Sequence, residues 1–266
     1  MAGIFSWLFG SSEKAAGTKT ITNEESAVDG NQANANESAS DLITLDDPRY
    51  ETYAAARLKY WKQCGTVDDD VIAYVISPQF QGSPAWPTTR QSFYIVRTED
   101  SLIIASDGLS DLFVDTNMTD AGFGSEVYVE VAGMQTANFD TVKQSWAFSL
   151  IENFARNVAN WGGINAQIEK YGVISSEMPI IETLDKSWQA DGENIGILVG
   201  MIAKERPSKL KLDAVNEIRM LPITIIKAAE LDFVANGGAI ARQELANKLS
   251  AAGVGVVSNP ARQSTI

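Results

Sequence analysis

The run GLSDLFVDTNMTDAGFGSEVYVEV, Gly108 to Val131, constrains the chain more than any other stretch. Glycines at 108, 122 and 124 bracket aspartates at 111, 115 and 120, and Asp107 stands immediately before them. An alternating pattern follows, with Val127, Val129 and Val131 on one side and Glu126, Tyr128 and Glu130 on the other. Such a segment is a metal loop, a phosphate cradle or a shaped turn that feeds a strand. A dinucleotide fingerprint needs G-x-G-x-x-G opening a helix, whereas Gly122-Phe123-Gly124 leads into Ser-Glu and a strand. An EF-hand needs oxygen ligands at alternate positions, a central glycine and a closing glutamate. The aspartates here are spaced by four or five residues, which leaves only a looser Ca²⁺ site open. The turn is the stronger reading. Glycine supplies positive φ and close backbone approach, and aspartate bonds its neighbouring backbone. The strand beyond it is expected to be half-buried.

Composition then limits the chemistry. The chain has 266 residues, 45% of them hydrophobic, enough for one large domain with appendages. Its net charge of −13 opposes nucleic acid, whose phosphates need Lys and Arg, and opposes anionic membranes. It favours a basic partner. The chain contains no histidine, which removes the commonest general base, the Ser-His-Asp and Cys-His constellations and imidazole metal ligands. The single cysteine, Cys64, can form no internal disulfide and no zinc cluster, and has no histidine to activate it. No catalytic, cofactor or metal residues are assigned. A carboxylate hydrolase using a divalent metal at Glu126 and Asp120, near the strand entry, is the enzymatic alternative.

Along the chain, residues 1–46 read as a flexible segment with a short apolar tip, Ile4 to Phe9. The tip is too short for a signal-peptide core or a membrane span, so a cytoplasmic protein is expected. Membrane or scaffold contact is open only through residues 1–10, as a tethered adaptor. Order is expected from Asp47-Pro48, as N-cap and first helical residue, across a folded domain of residues 47–252. Residues 253–266 are expected to fray. Within the domain, a helix to Gly65 precedes strands at Val71–Ser77, Gln91–Arg97, Ser101–Ser106 and Glu126–Gly133. A long amphipathic helix follows from about Asp140 to Asn160, closed by Gly162-Gly163. Strands at Tyr171–Ser176 and Ile195–Ala203, an extended Ala214–Pro222, and helices at about 224–236 and 240–252 complete the pattern. This order predicts an α+β fold, a mixed β-sheet packed against helices.

Several of these segments together resemble the Suppressor-of-fused domain family. They are GLSDL (Gly108–Leu112), GFGSEVYVEV (Gly122–Val131), ENFARNV (Glu152–Val158), GENIGILVGMIA (Gly192–Ala203) and LPITIIKAAELDFVANGG (Leu221–Gly238). They fall in the family's order over roughly Ala73 to Gly238, and Ser125 stands where the family often has an aromatic. The chain is similar to the short bacterial-type members. The resemblance implies an α/β sandwich that binds protein without catalysis, with toxin neutralisation by an immunity protein as the sharper form. No counterpart to the acidic segment or the second domain of the animal protein is expected here. A protein partner, basic or a toxin, is therefore expected. The partner-binding candidates are Trp86, set between prolines in a loop, and Asp111, Asp115 and Asp120 of the turn. Lys204–Lys211 is expected to be a solvated loop.

Overall fold

A computed structural model describes residues 42–179, 184–190 and 194–266. The flexible linker and apolar tip expected within residues 1–41 lie outside the described residues. Five helices appear among the described residues: α1 (Arg49–Cys64), α2 (Phe139–Lys143), α3 (Trp146–Trp161), α4 (Asn165–Tyr171) and α5 (Ala228–Ala251). The strands are β1 (Thr66–Val67), β2 (Ile72–Ala73), β3 (Ser92–Arg97), β4 (Ser101–Asp107), β5 (Ser125–Ala132), β6 (Ile174–Pro179), β7 (Gln189–Ala190), β8 (Asn194–Val199), β9 (Lys209–Lys211), β10 (Glu217–Ile226) and β11 (Val257–Ser258). They form one mixed sheet with the main order β1-β3-β4-β5-β10-β8-β6, so the fold is α+β, as expected.

The β3–β4 hairpin is antiparallel, with Arg97 opposite Leu102 and the turn residue Thr98 bonded to Ser101 O at 3.0 Å. β5 sits mid-sheet, antiparallel to β4 and parallel to β10. Side-chain alternation divides the core between two faces. Val127, Val129 and Val131 meet Leu150, Ile151, Phe154 and Val158 of α3 on one face. On the other, Tyr128 and Met220 meet Tyr53, Tyr60 and Trp61 of α1, while Leu198 and Ile226 meet Leu231, Val234 and Leu245 of α5. Each fully buried Leu, Ile, Val or Phe contributes about 1.5–3 kcal/mol relative to exposure, so these two faces dominate stability.

Several expectations are corrected here. β5 is buried on both faces, because α1 covers its second face and Trp61 packs edge-on to Tyr128 at 5.3 Å. The long helix is two. Ser145 interrupts it and caps α3, its hydroxyl accepting from Phe148 N–H at 3.2 Å. The expected strand Val71–Ser77 pairs only at Ile72–Ala73, and beyond it the chain leaves the sheet. The helix expected from Thr224 starts instead at Ala228, because Ile223–Ile226 pairs with β8 as the end of β10. α5 nevertheless contains the two expected helices, joined at Gly238 with φ 61° and ψ −140°.

Order begins before Asp47. Ile43 is buried, donates to Thr116 O at 2.7 Å and accepts from Asp115 N–H at 2.9 Å. Residues 253–266 do not fray. β11 pairs in parallel with β5, and Arg262 reaches Glu230 at 2.5 Å and Ile225 O at 3.2 Å. The Trp188 indole donates to Pro260 O at 3.1 Å and lies beneath the Arg262 guanidinium, 5.1 Å away. A buried carboxylate thus holds the tail by a charge-assisted fork.

Candidate functional site

The turn between β4 and β5 is built from its glycines outward. Gly108 has φ 128° and Gly122 has φ 45°, and a Cβ on Gly122 would stand 2.4 Å from Asp111 O. The turn closes on itself through Phe123 N–H to Leu109 O at 2.9 Å and Gly124 N–H to Ala121 O at 2.7 Å. Leu109 and Leu112 are fully buried beneath it.

Asp107, Asp111 and Glu126 face inward, toward a cation the sequence did not announce. Arg57 lies on the buried face of α1 with Tyr53, Tyr60 and Trp61, and is itself 0% exposed. Its Nε donates to Asp107 Oδ1 at 2.6 Å, Nη2 to Asp111 Oδ1 at 2.6 Å and Nη1 to Ser110 Oγ at 3.1 Å. Arg90 pairs with the other oxygen of Asp107, which also accepts from Ser92 Oγ at 3.2 Å. Glu126, fully buried, accepts from Gly108 N–H at 3.1 Å, Ser110 N–H at 3.0 Å and Ser110 Oγ at 2.6 Å through one oxygen, and from Ser106 Oγ through the other. Three carboxylates therefore share two guanidinium groups in a water-poor site. Burial pushes the Asp111 and Glu126 carboxyls up, against the pull of Arg57. Burial acts on Asp107 too, but Arg57 and Arg90 outweigh it and hold that carboxyl below its ordinary value.

This arrangement decides the partner-binding candidates. Asp111 is 0% exposed and cannot face a partner, and its Oδ2 has no hydrogen-bond partner. Trp86 is 4% exposed and packs edge-on to Phe93 at 6.0 Å, so the proline-flanked loop covers the core instead of presenting an anchor. Asp115, at φ 59°, and Asp120 are exposed on the turn's outer arc. Glu126 and Asp120 do not come together as a metal pair: the first is enclosed by donors and the second is exposed. Among the described residues no group of three or more acids or cysteines is arranged to hold a metal ion. Arg57 and Arg90 are the residues that sequence reasoning missed. The available signal was an arginine in register with the apolar face of a helix, a position that requires a buried acid.

A second ionic group lines a cleft of about 590 Å³ bordered by Cys64, Ser101, Glu130 and Arg206. Arg206 grips Glu130 through both Nη atoms, at 2.7 and 3.1 Å, and Ser101 Oγ donates to it at 2.6 Å. Residues 204–211 are therefore not simply a solvated loop, since Arg206 is drawn inward and Lys209–Lys211 forms β9. The Cys64 thiol donates to Tyr60 O at 3.4 Å, and burial raises its pKa, the opposite of nucleophile activation.

The surface feature that sequence reasoning did not anticipate lies where Val71–Ser77 leaves the sheet. Val75 is 104%, Ile76 61% and Phe80 72% exposed. The loop carrying them is fixed from within. Pro78 and Ser77 are buried, Phe80 N–H donates to Ser77 O at 3.1 Å, and Ser83 N–H donates to Pro78 O at 3.1 Å. Gly82 closes the short helical turn at φ 86°. Single exposed apolar residues are ordinary, but here three fall within six positions of a pinned loop.

No family model matches the chain, and comparison with curated proteins and with solved structures gives no match. No helix among the described residues is long and apolar enough to cross a membrane.

Proposed function

We propose that this chain is a non-catalytic protein-binding module of the Suppressor-of-fused type and, in the narrower form of that reading, a toxin-neutralising immunity protein. The observation that carries it is the pinned loop displaying Val75, Ile76 and Phe80. Exposed apolar side chains on a preorganised backbone contribute affinity because little ordering entropy remains to be lost on binding. The exposed carboxylates Asp115 and Asp120 add the charge that a basic partner would complement.

The turn acids support the non-catalytic part of the reading. Asp107, Asp111 and Glu126 are committed to Arg57, Arg90 and backbone N–H groups, which leaves none of them open to a substrate. The test is to mix the purified chain with the protein encoded by the adjacent gene and measure binding by calorimetry. A tight complex lost in Ile76→Asp/Phe80→Asp, with that variant's circular dichroism unchanged, is expected. A complex that survives this substitution would remove the loop from the interface, and no complex with either neighbouring gene product would end the immunity reading.

A further inference from the structure

The two ends of the sheet are finished differently. At one end β1 and β2 pair with β3 over two residues each, and Asp68, Asp69 and Asp70 stand between them. Short edge strands and edge charges block the addition of another strand. At the other end β6 pairs with β8 along its whole length, Ile174 to Pro179, and no strand among the described residues pairs with its outer side. Its one charged residue is Glu177. Among the described residues, none of its backbone groups bonds to backbone other than that of β8. A row of unpaired N–H and C=O groups is a template for a further strand.

The side chains on this edge are complementary to themselves. Ile174 and Met178 lie in the core with Ile151 and Phe154, whereas Val173 packs with Leu231 and Leu245 of α5. Alternation therefore puts Ser175 and Glu177 on the α5 face. At the start of β6 on that face, Arg242 Nε donates to Val173 O at 3.2 Å, and its guanidinium lies 5.6 Å from the Tyr171 ring. Arg242 is half-buried and pairs with no carboxylate among the described residues. Toward the end of β6, Glu177 is half-buried as well. Its Oε2 accepts from Asn194 Nδ2 at 3.1 Å, and it pairs with no cation among the described residues. One edge thus carries an unpaired cation at its beginning and an unpaired anion toward its end.

We propose that β6 pairs with β6 of a second copy of this chain, antiparallel about Ser176, so that two sheets continue into one across a two-fold axis. Residues opposite each other in such a pair share a face of the sheet. Centring on Ser176 sets Ile174 opposite Met178 and Ser175 opposite Glu177. The second copy's Glu177 is then diagonal to Val173. Diagonal neighbours on one face lie roughly 7–8 Å apart, within reach of long side chains, so that Glu177 meets Arg242, and the symmetry makes the contact twice. Val173 falls opposite Pro179. Its N–H already donates to Tyr171 O at 2.8 Å and its C=O is held by Arg242, so it asks nothing of a residue without an N–H. Of the neighbouring registers that keep the faces matched, one sets Glu177 against itself, which repels, and the other shortens the ladder. The loop bearing Val75, Ile76 and Phe80 leaves the sheet beside β3, at the opposite end, so this pairing does not depend on the reading of that loop.

The test is sedimentation velocity of the full chain from micromolar to millimolar concentration. A reversible dimer is expected, dissociating in the micromolar range as interfaces of this small class do. Glu177→Arg sets two cations together at each contact, and Arg242→Glu sets two anions together. Each variant alone is expected to weaken the dimer by about tenfold or more. Mixed in equal amounts, the two are expected to form a heterodimer of near-native affinity, because one contact is then reversed and the other is native. Circular dichroism shows that each variant is folded. A native chain that stays monomeric throughout would overturn the proposal, as would single variants that dimerise like the native chain, or a mixture that associates no better than either variant alone. If Arg242→Glu does not fold, Ser176→Cys with Cys64→Ser provides a second measurement. Across the axis the two Cα atoms would lie about 4.5–5.5 Å apart, within the range a disulfide spans. Mild oxidation is expected to give a covalent dimer faster than with Gln81→Cys, exposed at the other end of the sheet, and equal rates would overturn the pairing. A monomeric chain that instead binds an extended peptide along β6 would also overturn it, in favour of a foreign strand as the occupant.

Discussion

Replacing Arg57 with methionine tests the central ionic group most directly. The substitution keeps length and apolar bulk and deletes the guanidinium that bonds Asp107 and Asp111 at 2.6 Å each. Breaking a buried ion pair by removing one partner costs about 3–5 kcal/mol, because the other charge stays buried and uncompensated. Two carboxylates lose a contact here, while Arg90 still serves Asp107. A loss near the upper end of that range is therefore expected. It would remove a large share of the roughly 5–15 kcal/mol that stabilises a domain.

The pH dependence separates this mechanism from simple loss of packing. In the native chain Asp107 lies below its ordinary value, so its contribution is present above the unfolded pKa of about 3.9 and is lost as pH falls through the folded value. Asp111 and Glu126 lie above their ordinary values, so they favour folding in acid and oppose it as pH rises through their folded values. Without Arg57, only Arg90 opposes burial at Asp111 and Asp107, and both carboxyls rise. Arg57→Met should therefore gain stability as pH falls from neutral toward the ordinary carboxylate range, and its deficit against the native chain should narrow. Urea unfolding followed by tryptophan fluorescence reads both quantities. A deficit below about 1 kcal/mol at neutral pH, or one unchanged by acid, would refute the reasoning. If the single variant does not fold, Arg57→Met/Asp107→Asn/Asp111→Asn removes the stranded charges and should recover most of the loss.

Other perturbations follow from the same geometry. Gly122→Ala should lower the urea midpoint by an amount equivalent to about 1–3 kcal/mol, because the native φ is 45° and the new Cβ would lie 2.5 Å from Leu109 O. Arg262→Ala should cost about 3 kcal/mol by stranding Glu230. Burial acts to raise the Glu230 carboxyl, but bonds from Arg262 and from backbone N–H groups outweigh it and hold it down; stability from this pair is thus present above the ordinary carboxylate range and lost in acid, and Arg262→Ala should blunt that acid sensitivity in a melting series. Cys64 should react with iodoacetamide more slowly than glutathione at neutral pH, since burial raises its thiol; a faster rate would contradict the buried geometry. Mg²⁺, Mn²⁺ and Ca²⁺ should leave the melting temperature unchanged, and a rise with any of them would revive the metal-hydrolase alternative.

Local chemistry made parts of the fold legible. Glycines at positive φ mark both ends of the turn, and the β3–β4 hairpin follows from two β-rich runs separated by Thr98-Glu99-Asp100. Gly237-Gly238 divides α5 where the sequence divides it. The β-branched run Ile223-Thr224-Ile225-Ile226 favours a strand, yet the helical spacing beyond it drew the expected helix start three to four residues too early. What was not legible is long-range. Arg57 finds its acids 50 and 54 positions away, and Arg262 finds Glu230 at a separation of 32. No periodicity encodes such pairs. The candidate site failed for the same reason, since Asp111 looks solvent-facing until α1 delivers a guanidinium to it, and Trp86 looks exposed until Phe93 lies beneath it.

The same long-range bonds relate the turn to the connection between β2 and β3. Arg57 fixes Asp107 and Asp111, the turn they shape presents Val114 N–H to Pro87 O, and its next residues hold Ile43 as a short ladder. Ile43, the acidic turn and Pro87 of the β2–β3 connection are therefore joined by backbone hydrogen bonds, with Arg57 buried against the turn's acids. Acidic residues that would serve as ligands in a flexible loop serve here to set backbone shape, and the exposed pair Asp115 and Asp120 is left as the charged part of the surface. The division of labour follows from burial: where water is excluded a carboxylate must be paired, and where water remains it is free to meet a partner's charge.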